Sequence, residues 1–323
     1  MLSKSRSTIL LAAASAALMG SLAVSAAKAT ILATEDFSGV TLTGGPILLA
    51  GVNDGTGWST AKNRNSLNGW YQQNLPAAGK GIPGYNVSDT TPLTGADNNN
   101  YAAGGYNYQG SGRSFDLSST GTFATAGLIT TNPTTHVSTI GVAGATILVS
   151  ALVRSDNGNP PFVFGLSGNA EGAFGTAGYA NAAFGYAASN TNNDWTLDST
   201  NGTTTLTNTV SNVAFVKGTP AELVMEVQYT TGTAANLSLW VNPAGYSGSN
   251  PTIPLGTPNA TFASTNATFT DLFFGGTHGT GGASFTDLVV ATPSASIPEP
   301  ATLGLMAVMG VGLLLVGRKR KVA

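Results

Sequence analysis

Strict alternation of apolar and polar residues constrains this chain more than any other feature of its sequence. Between residues 222 and 229, Leu223, Met225, Val227 and Tyr229 occupy every second position. Successive side chains of a β-strand point to opposite faces of a sheet. This run therefore predicts a strand with one face against a core and the other in water.

The same pattern recurs along the chain. Residues 236–242 alternate again after a polar stretch at 230–235, which predicts a β-hairpin. The low-complexity segment 165–188 forms either short hairpins or a surface loop. No stretch between residues 30 and 296 has sustained helical periodicity, so we expect two packed antiparallel sheets. Further strands are predicted at Ile31–Phe37, Thr146–Arg154, Phe162–Leu166, Ala260–Phe262, Asp271–Phe274 and Ser284–Ala291.

Composition excludes several classes of protein. Charged residues make up 9% of the chain and there are 42 glycines, as in a protein of many short strands and turns. Between residues 30 and 297, six basic residues stand against 14 acidic ones, so 6 − 14 leaves a net charge of −8. Nucleic acid is therefore not an expected partner, since phosphate binding needs clustered Lys and Arg. The chain has no cysteine, which rules out disulfides and thiolate metal sites.

The N-terminus has the three parts of an export signal. Basic residues near the start precede an apolar run at 9–24, and Ala27-Lys28-Ala29 has the small residues of a cleavage site. Cleavage after Ala29 would make Thr30 the first residue of the exported protein. A permanent N-terminal anchor is the alternative, but the apolar run is interrupted by serine and glycine.

The C-terminus has the composition of a membrane anchor. Residues 301–317 are uninterrupted by charge, and a helix of this length is just able to cross the hydrocarbon layer. A basic cluster beside such a helix stays on the cytoplasmic side, so the preceding domain would lie outside. The cluster consists of Arg318, Lys319, Arg320 and Lys321.

Pro298-Glu299-Pro300, followed by this short apolar helix and the basic end, resembles the PEP-CTERM sorting signal of exosortase substrates. The resemblance implies transient anchoring in the inner membrane, recognition of the Pro-Glu-Pro motif by an exosortase-type sorting enzyme, and release to the cell surface. It also implies an association with extracellular polysaccharide. An ordinary tail anchor after a proline linker is the alternative.

The domain between the two signals resembles bacterial LamG-like or concanavalin-like β-sandwiches. The resemblance implies a two-sheet antiparallel jelly roll. Together with the two terminal signals, this domain gives three regions: a signal peptide at 1–29, a β-sandwich at 30–296 and a sorting tail at 297–323. It rests on Glu35–Gly39, Gly55–Ser59, Leu223–Val224, Ser238–Pro243 and Ser284–Leu288.

Two carboxylates on one strand face suggest an enzyme, but a third carboxylate expected between them is missing. Glu222 and Glu226 resemble the E-x-D-x-E strand of sandwich-fold glucanases, but Val224 replaces the middle aspartate. Hydrolysis of a glycoside needs two carboxyl groups with separated pKa values, and the missing aspartate is the group that would help to separate them. We therefore predict no catalytic residues, and a divergent glycan-active enzyme is the alternative.

No cofactor is certain from the residues, and calcium fits them better than zinc because it needs only oxygen ligands. In related sandwiches the first and last strands lie side by side, which would bring Glu35 or Asp36 near Asp287. Asp54 and Asp97 are alternatives in polar loops. Surface carboxylates that bind no metal would have the same sequence pattern.

Sugar binding would use aromatic rings with amides nearby. Trp70 and Tyr71 precede two glutamines, and Tyr106 and Tyr108 alternate with Asn107 and Gln109. Core packing or turn placement of these rings is the alternative. The sequence as a whole predicts a non-enzymatic surface or matrix protein with a structural or weak glycan-binding role.

Overall fold

The structure, a computed structural model, describes residues 29–42, 47–49, 51–61, 68–72, 86–88, 93–96, 101–104, 110–155, 162–168, 181–186, 194–199, 207–276 and 283–294. One compact unit, Ala29–Pro293, contains every strand named here. The strands are β1 Thr30–Glu35, β2 Ile47–Leu48, β3 Tyr71–Gln72, β4 Asn86–Ser88, β5 Tyr101–Gly104, β6 Gly110–Ser114, β7 Ile129–Thr131, β8 Ser138–Ile140, β9 Thr146–Ser155, β10 Phe162–Ser167, β11 Asn181–Tyr186, β12 Asp194–Ser199, β13 Thr207–Ala214, β14 Ala221–Tyr229, β15 Ala235–Val241, β16 Ala260–Ser264, β17 Asp271–Gly276 and β18 Ala283–Thr292. The single short helix within these ranges, α1, is Thr122–Thr125.

Two antiparallel sheets make up the fold, as the alternation predicted. The first sheet has the order β16-β15-β14-β9-β18-β5-β4-β2, and β1 also pairs with β18. The second sheet has the order β13-β12-β11-β10-β17-β6-β3. A small hairpin of β7 and β8 stands apart from both. Within the described ranges no helix is long and apolar enough to cross a membrane, and the predicted helix 301–317 lies outside them.

The core lies between the sheets and is built from alternate residues of their strands. Leu223, Met225, Val227 and Tyr229 of β14 all belong to it, as predicted. Phe285 of β18 reaches across and meets Phe164 of β10 with ring centroids 5.0 Å apart. Burial of such apolar area is the main stabilising term of the fold.

The opposite face of β14 differs from the prediction that it meets water. Val224 is fully buried and Glu226 is 8% exposed, so only part of this face is wet. Trp240, the Cα partner of Val224 on β15, is also nearly buried and its indole nitrogen donates to Gly256 O over 3.4 Å. The chain after β15 therefore covers part of the outer face, a long-range contact that alternation does not reveal.

Strand β1 ends earlier than predicted. The sequence pattern extended it to Phe37, but Phe37 has a φ of 60° and is fully buried. A bulky residue with positive φ cannot continue a strand. The turn is held by Glu35 Oε1, which accepts the Phe37 amide over 3.2 Å, and by Phe37 O, which accepts the Val40 amide.

The low-complexity segment contributes one strand to the second sheet. β10 and β11 pair antiparallel in continuous register, and the residues between them, 169–180, lie outside the described ranges. Gly165 is required there because an added Cβ would stand 2.2 Å from Ala182 O on the neighbouring strand. The hairpin alternative is thus confirmed for the paired strands β10 and β11.

Candidate functional site

A pocket of about 740 Å³ opens beside the paired strands β1 and β18. Leu152, Glu222 and Val289 line it from β9, β14 and β18. Each lies between two neighbours that pack in the core, so its side chain points to the outer face of the first sheet. Small-ligand pockets typically enclose about 300–1,000 Å³, which makes this cavity a candidate binding site.

The pairing of the first and last strands brings two predicted ligands of calcium to this pocket. Glu35 is the Cα partner of Leu288, and the adjacent Asp36 and Asp287 both line the cavity. Thr286 Oγ1 donates to Asp36 O over 3.4 Å. The prediction that the two ends of the domain lie side by side is confirmed.

A β-bulge directs Asp287 into the cavity. The register of β18 against β9 shifts between Thr286 and Val289, and Asp287 has a φ of 51°. Bulges redirect side chains and are frequent next to binding sites. Asn242, which also lines the cavity, has a φ of 50°, and Asn and Asp tolerate this left-handed conformation better than most residues.

The wall at residues 242–249 is fixed to the sheet. Tyr246 Oη donates to Ser150 Oγ of β9 over 3.0 Å. Burial raises the pKa of Tyr246 to about 12, the Ser150 hydrogen bond opposes this, and the charge of Glu222 adds to it. Gly248 sits against Val289 so closely that an added Cβ would be 3.1 Å from Val289 Cγ2. Hydroxyl, amide and carboxyl groups thus surround an apolar floor.

A calcium site is not complete among the residues that the structure describes. Calcium takes six to eight oxygen ligands. No group of three or more His, Cys, Asp or Glu in the described ranges is arranged to hold a metal. Asp36 Oδ1 accepts the Ser38 amide over 2.9 Å, and Asp54 Oδ2 accepts the Gly39 amide over 2.7 Å. Asp97 lies outside the described ranges, and calcium at Asp36 and Asp287 stays a prediction.

Glu35 is not a pocket residue, which corrects its assignment as a metal ligand. It is fully buried and forms an ion pair with Arg113 Nη1 of β6, on the inner face of the second sheet. Its Oε2 also accepts Trp70 Nε1 over 3.0 Å. Burial raises the pKa of Glu35 to about 7 although the charge of Arg113 opposes the rise. Both oxygens of Glu35 are thus engaged by protein donors inside the core.

The same cluster removes Trp70 from the predicted sugar contacts. Trp70 is fully buried, and its ring centroid lies 5.5 Å from that of Phe285 and 6.4 Å from those of Phe37 and Trp58. Tyr71 is also fully buried. Neither ring exposes a face for stacking on a sugar, so both were wrong as surface contacts. The core-packing alternative holds for both residues, and Trp70 lies among other aromatic rings of the core.

Several predicted residues lie outside the described ranges. They are Tyr106 and Tyr108 among the glycan contacts, Ala27 of the cleavage site, Pro298, Glu299 and Pro300 of the sorting motif, and Arg318, Lys319, Arg320 and Lys321 of the basic end. Ala29 is described and immediately precedes β1.

The two glutamates of β14 both lie on the outer face of the first sheet. They are four residues apart on one extended strand, which separates their Cα atoms by about 13 Å. Val224, midway between them, is fully buried and has no carboxyl group. Glu222 lines the pocket and Glu226 does not. Burial raises the pKa of Glu226.

Three residues that the structure makes prominent were not predicted from the sequence. Arg113 is one of six basic residues in the domain and its buried role has no local signal. Tyr246 lies in a turn-rich segment. Asp198 alternates with Trp195 and Leu197 in a pattern that does predict a strand, yet it is fully buried on the outer face of the second sheet. Burial raises the pKa of Asp198 to about 7, and Thr196 Oγ1 donates to its Oδ2 over 3.0 Å.

No protein-family model and no curated protein matches this chain. Solved structures similar to it include an alginate lyase at 12% identity, covering 47% of this chain and 72% of that chain with a TM-score of 0.29. An endo-β-1,4-glucuronan lyase from the fungus Trichoderma reesei has 8% identity, coverage of 69% and 94%, and a TM-score of 0.35. The globular domain of T. cruzi calreticulin has 10% identity, coverage of 80% and 98%, and a TM-score of 0.39. Similarity at this level carries no argument about function.

Proposed function

We propose that this chain is an exported, non-enzymatic protein of the cell surface or extracellular matrix, and that its β-sandwich binds extracellular glycan in the pocket beside β1 and β18. The PEP-CTERM-like tail would hold the precursor in the inner membrane through residues 301–317. An exosortase-type enzyme would then act near Pro298–Pro300 and release the domain outward. The observation that carries glycan binding is the pocket itself.

The pocket has the chemistry that sugar rings require. Leu152 and Val289 supply an apolar floor, while Asn242, Asp287 and the hydroxyl groups of the 242–249 wall supply polar atoms around it. Sugars present C–H faces together with hydroxyl groups, so a cavity with both kinds of lining suits them. A domain charge of −8 favours neutral glycans over acidic ones.

Absence of turnover is part of the proposal. Between Glu222 and Glu226, Val224 replaces the aspartate of the glucanase pattern that would help to separate the pKa values of the two glutamates. A glycan-active enzyme is the second candidate, because Asp36, Glu222 and Asp287 all line one cavity. The two candidates differ in whether bound polysaccharide is cleaved.

A glycan array and a reducing-sugar assay on residues 30–297 test both candidates. Asp287→Asn keeps the left-handed backbone accessible, and we expect it to weaken glycan binding about tenfold through lost charge-assisted hydrogen bonds. Glu226→Gln is the matched control, since it lies on the same outer face but outside the pocket. Equal loss in both variants, or no retention of any glycan, would contradict the pocket proposal. Release of reducing ends that Glu222→Gln abolishes would establish the enzyme instead.

A further inference from the structure

The first strand of the fold begins at the predicted signal-cleavage site. Cleavage after Ala29 would leave Thr30 as the new N-terminus, and Thr30 is both the first residue of β1 and the Cα partner of Thr292 on β18. The amide nitrogen of Thr30 belongs to the Ala29–Thr30 peptide bond. In the folded domain this nitrogen donates to Thr292 Oγ1 over 3.2 Å.

Strand β1 is fixed on both of its edges. On one side it pairs with β18 from Thr30 to Glu35. On the other side Leu32 O accepts Thr122 Oγ1 over 2.6 Å, and Thr34 O accepts Trp58 Nε1 over 2.8 Å. Both Leu32 and Ala33 are buried. Lifting the start of β1 away from β18 would therefore disturb contacts well beyond Thr30.

We infer that the Ala29–Thr30 bond is cleaved before β1 pairs with β18, and that this pairing protects the bond in any precursor that folds first. Proteases act on chain that is locally open, and a paired strand is open only during local unfolding. The inference rests on the proposed export of the chain. To the proposed export it adds the order of two events: the signal peptide is removed first, and β1 then pairs with β18 in the first sheet.

The order of the strands in the chain favours this sequence of events. Thr30 and Thr292 are 262 residues apart. At a synthesis rate of roughly 5–20 residues per second, Thr292 would emerge about 10–50 s after Thr30. Throughout that interval β1 has no β18 to pair with, so the cleavage site is open.

Cleavage also strengthens the contact that it precedes. Hydrolysis adds one water across the Ala29–Thr30 bond and leaves a carboxylate on Ala29 and an ammonium group on Thr30. The Thr30 nitrogen then donates to Thr292 Oγ1 as a charged donor, and such hydrogen bonds are stronger than neutral ones. Ile31, Thr34 and Asp36 line the candidate pocket, so the pocket is completed only when this end of the domain has closed.

Digestion of the full-length precursor by a bacterial signal peptidase tests the inference. The precursor is purified in detergent and offered either folded or urea-denatured and freshly diluted, and loss of residues 1–29 is followed by mass spectrometry. We expect the folded precursor to be cleaved at least about tenfold more slowly. Inserting six Gly and Ser residues between Thr30 and Ile31 keeps the cleavage motif and moves it out of the sheet. This variant should be cleaved equally fast in both states.

A second variant, Ala33→Pro, removes a backbone donor within β1 and should restore fast cleavage without an insertion. Equal rates for the folded and denatured unmodified precursor would overturn the inference. Slow cleavage of the folded insertion variant would assign the protection to detergent or another part of the chain and would overturn it as well. If even the denatured precursor is not cut after Ala29, the proposed export signal itself fails.

Discussion

The buried ion pair between Glu35 and Arg113 gives the sharpest prediction of stability. It joins the end of β1 to the inner face of the second sheet, with side-chain exposures of 0% and 2%. Arg113 also donates to Asn53 Oδ1 and lies 4.8 Å above the Trp58 ring. Replacing Arg113 by Met would leave Glu35 buried without its cation. Removal of one partner of a buried pair costs about 3–5 kcal/mol of unfolding free energy.

The cost should depend on pH in a defined direction. Burial already raises the pKa of Glu35 to about 7, and Arg113 is the main influence that lowers it. Without Arg113 the pKa rises further, so the carboxyl group of the variant is neutral when folded at pH 5. The penalty for a buried charge is then absent, and Arg113→Met should destabilise the domain more at pH 8 than at pH 5.

Urea unfolding of residues 30–297, followed by tryptophan fluorescence, measures these differences. Lys217→Met is the matched control, because Lys217 is exposed and its loss should change the unfolding free energy by less than about 0.5 kcal/mol. The double variant Glu35→Met with Arg113→Met should recover most of the loss, since apolar residues can replace a buried pair. An Arg113→Met variant that loses less than about 1 kcal/mol at pH 8 would refute this account of the pair.

Three further predictions concern pH, calcium and processing. The pKa of Asp198 rises from 3.8 to about 7 in the folded domain, so its stabilising contribution is full below pH 3.8 and declines as the pH rises to about 7. Asp198→Asn should therefore make the unfolding free energy, measured by urea titration, depend less on pH in this range, and an unchanged dependence would contradict the prediction. If calcium binds at Asp36 and Asp287, millimolar calcium should raise the melting temperature relative to chelator, and Asp287→Asn should remove the increase; identical temperatures would exclude the site. Mass spectrometry of the extracellular form should find Thr30 first and residues 318–321 missing, and intact C-terminal peptides would argue against sorting.

Local chemistry was enough to predict the fold class. Alternation in β14 and β15 predicted the strands, their inward faces and their hairpin, because a period of two places every second residue on the same face of a sheet. The expected contact between the first and last strands came from a family resemblance, and the β1–β18 register confirmed it. The absence of cysteine was enough to exclude disulfides.

The tertiary structure decided which polar and aromatic residues belong to a site. Glu35 and Asp36 are adjacent in sequence, yet Glu35, the last residue of β1, enters the core and meets Arg113, while Asp36, just after the strand, lines a pocket. Trp70 is followed by two glutamines, as a sugar-binding residue can be, but it is fully buried and its indole donates to Glu35. Pairings between residues 35 and 113, or 30 and 292, depend on sheet order. Sequence determines which face a residue occupies, and only the packed sheets determine what that face meets.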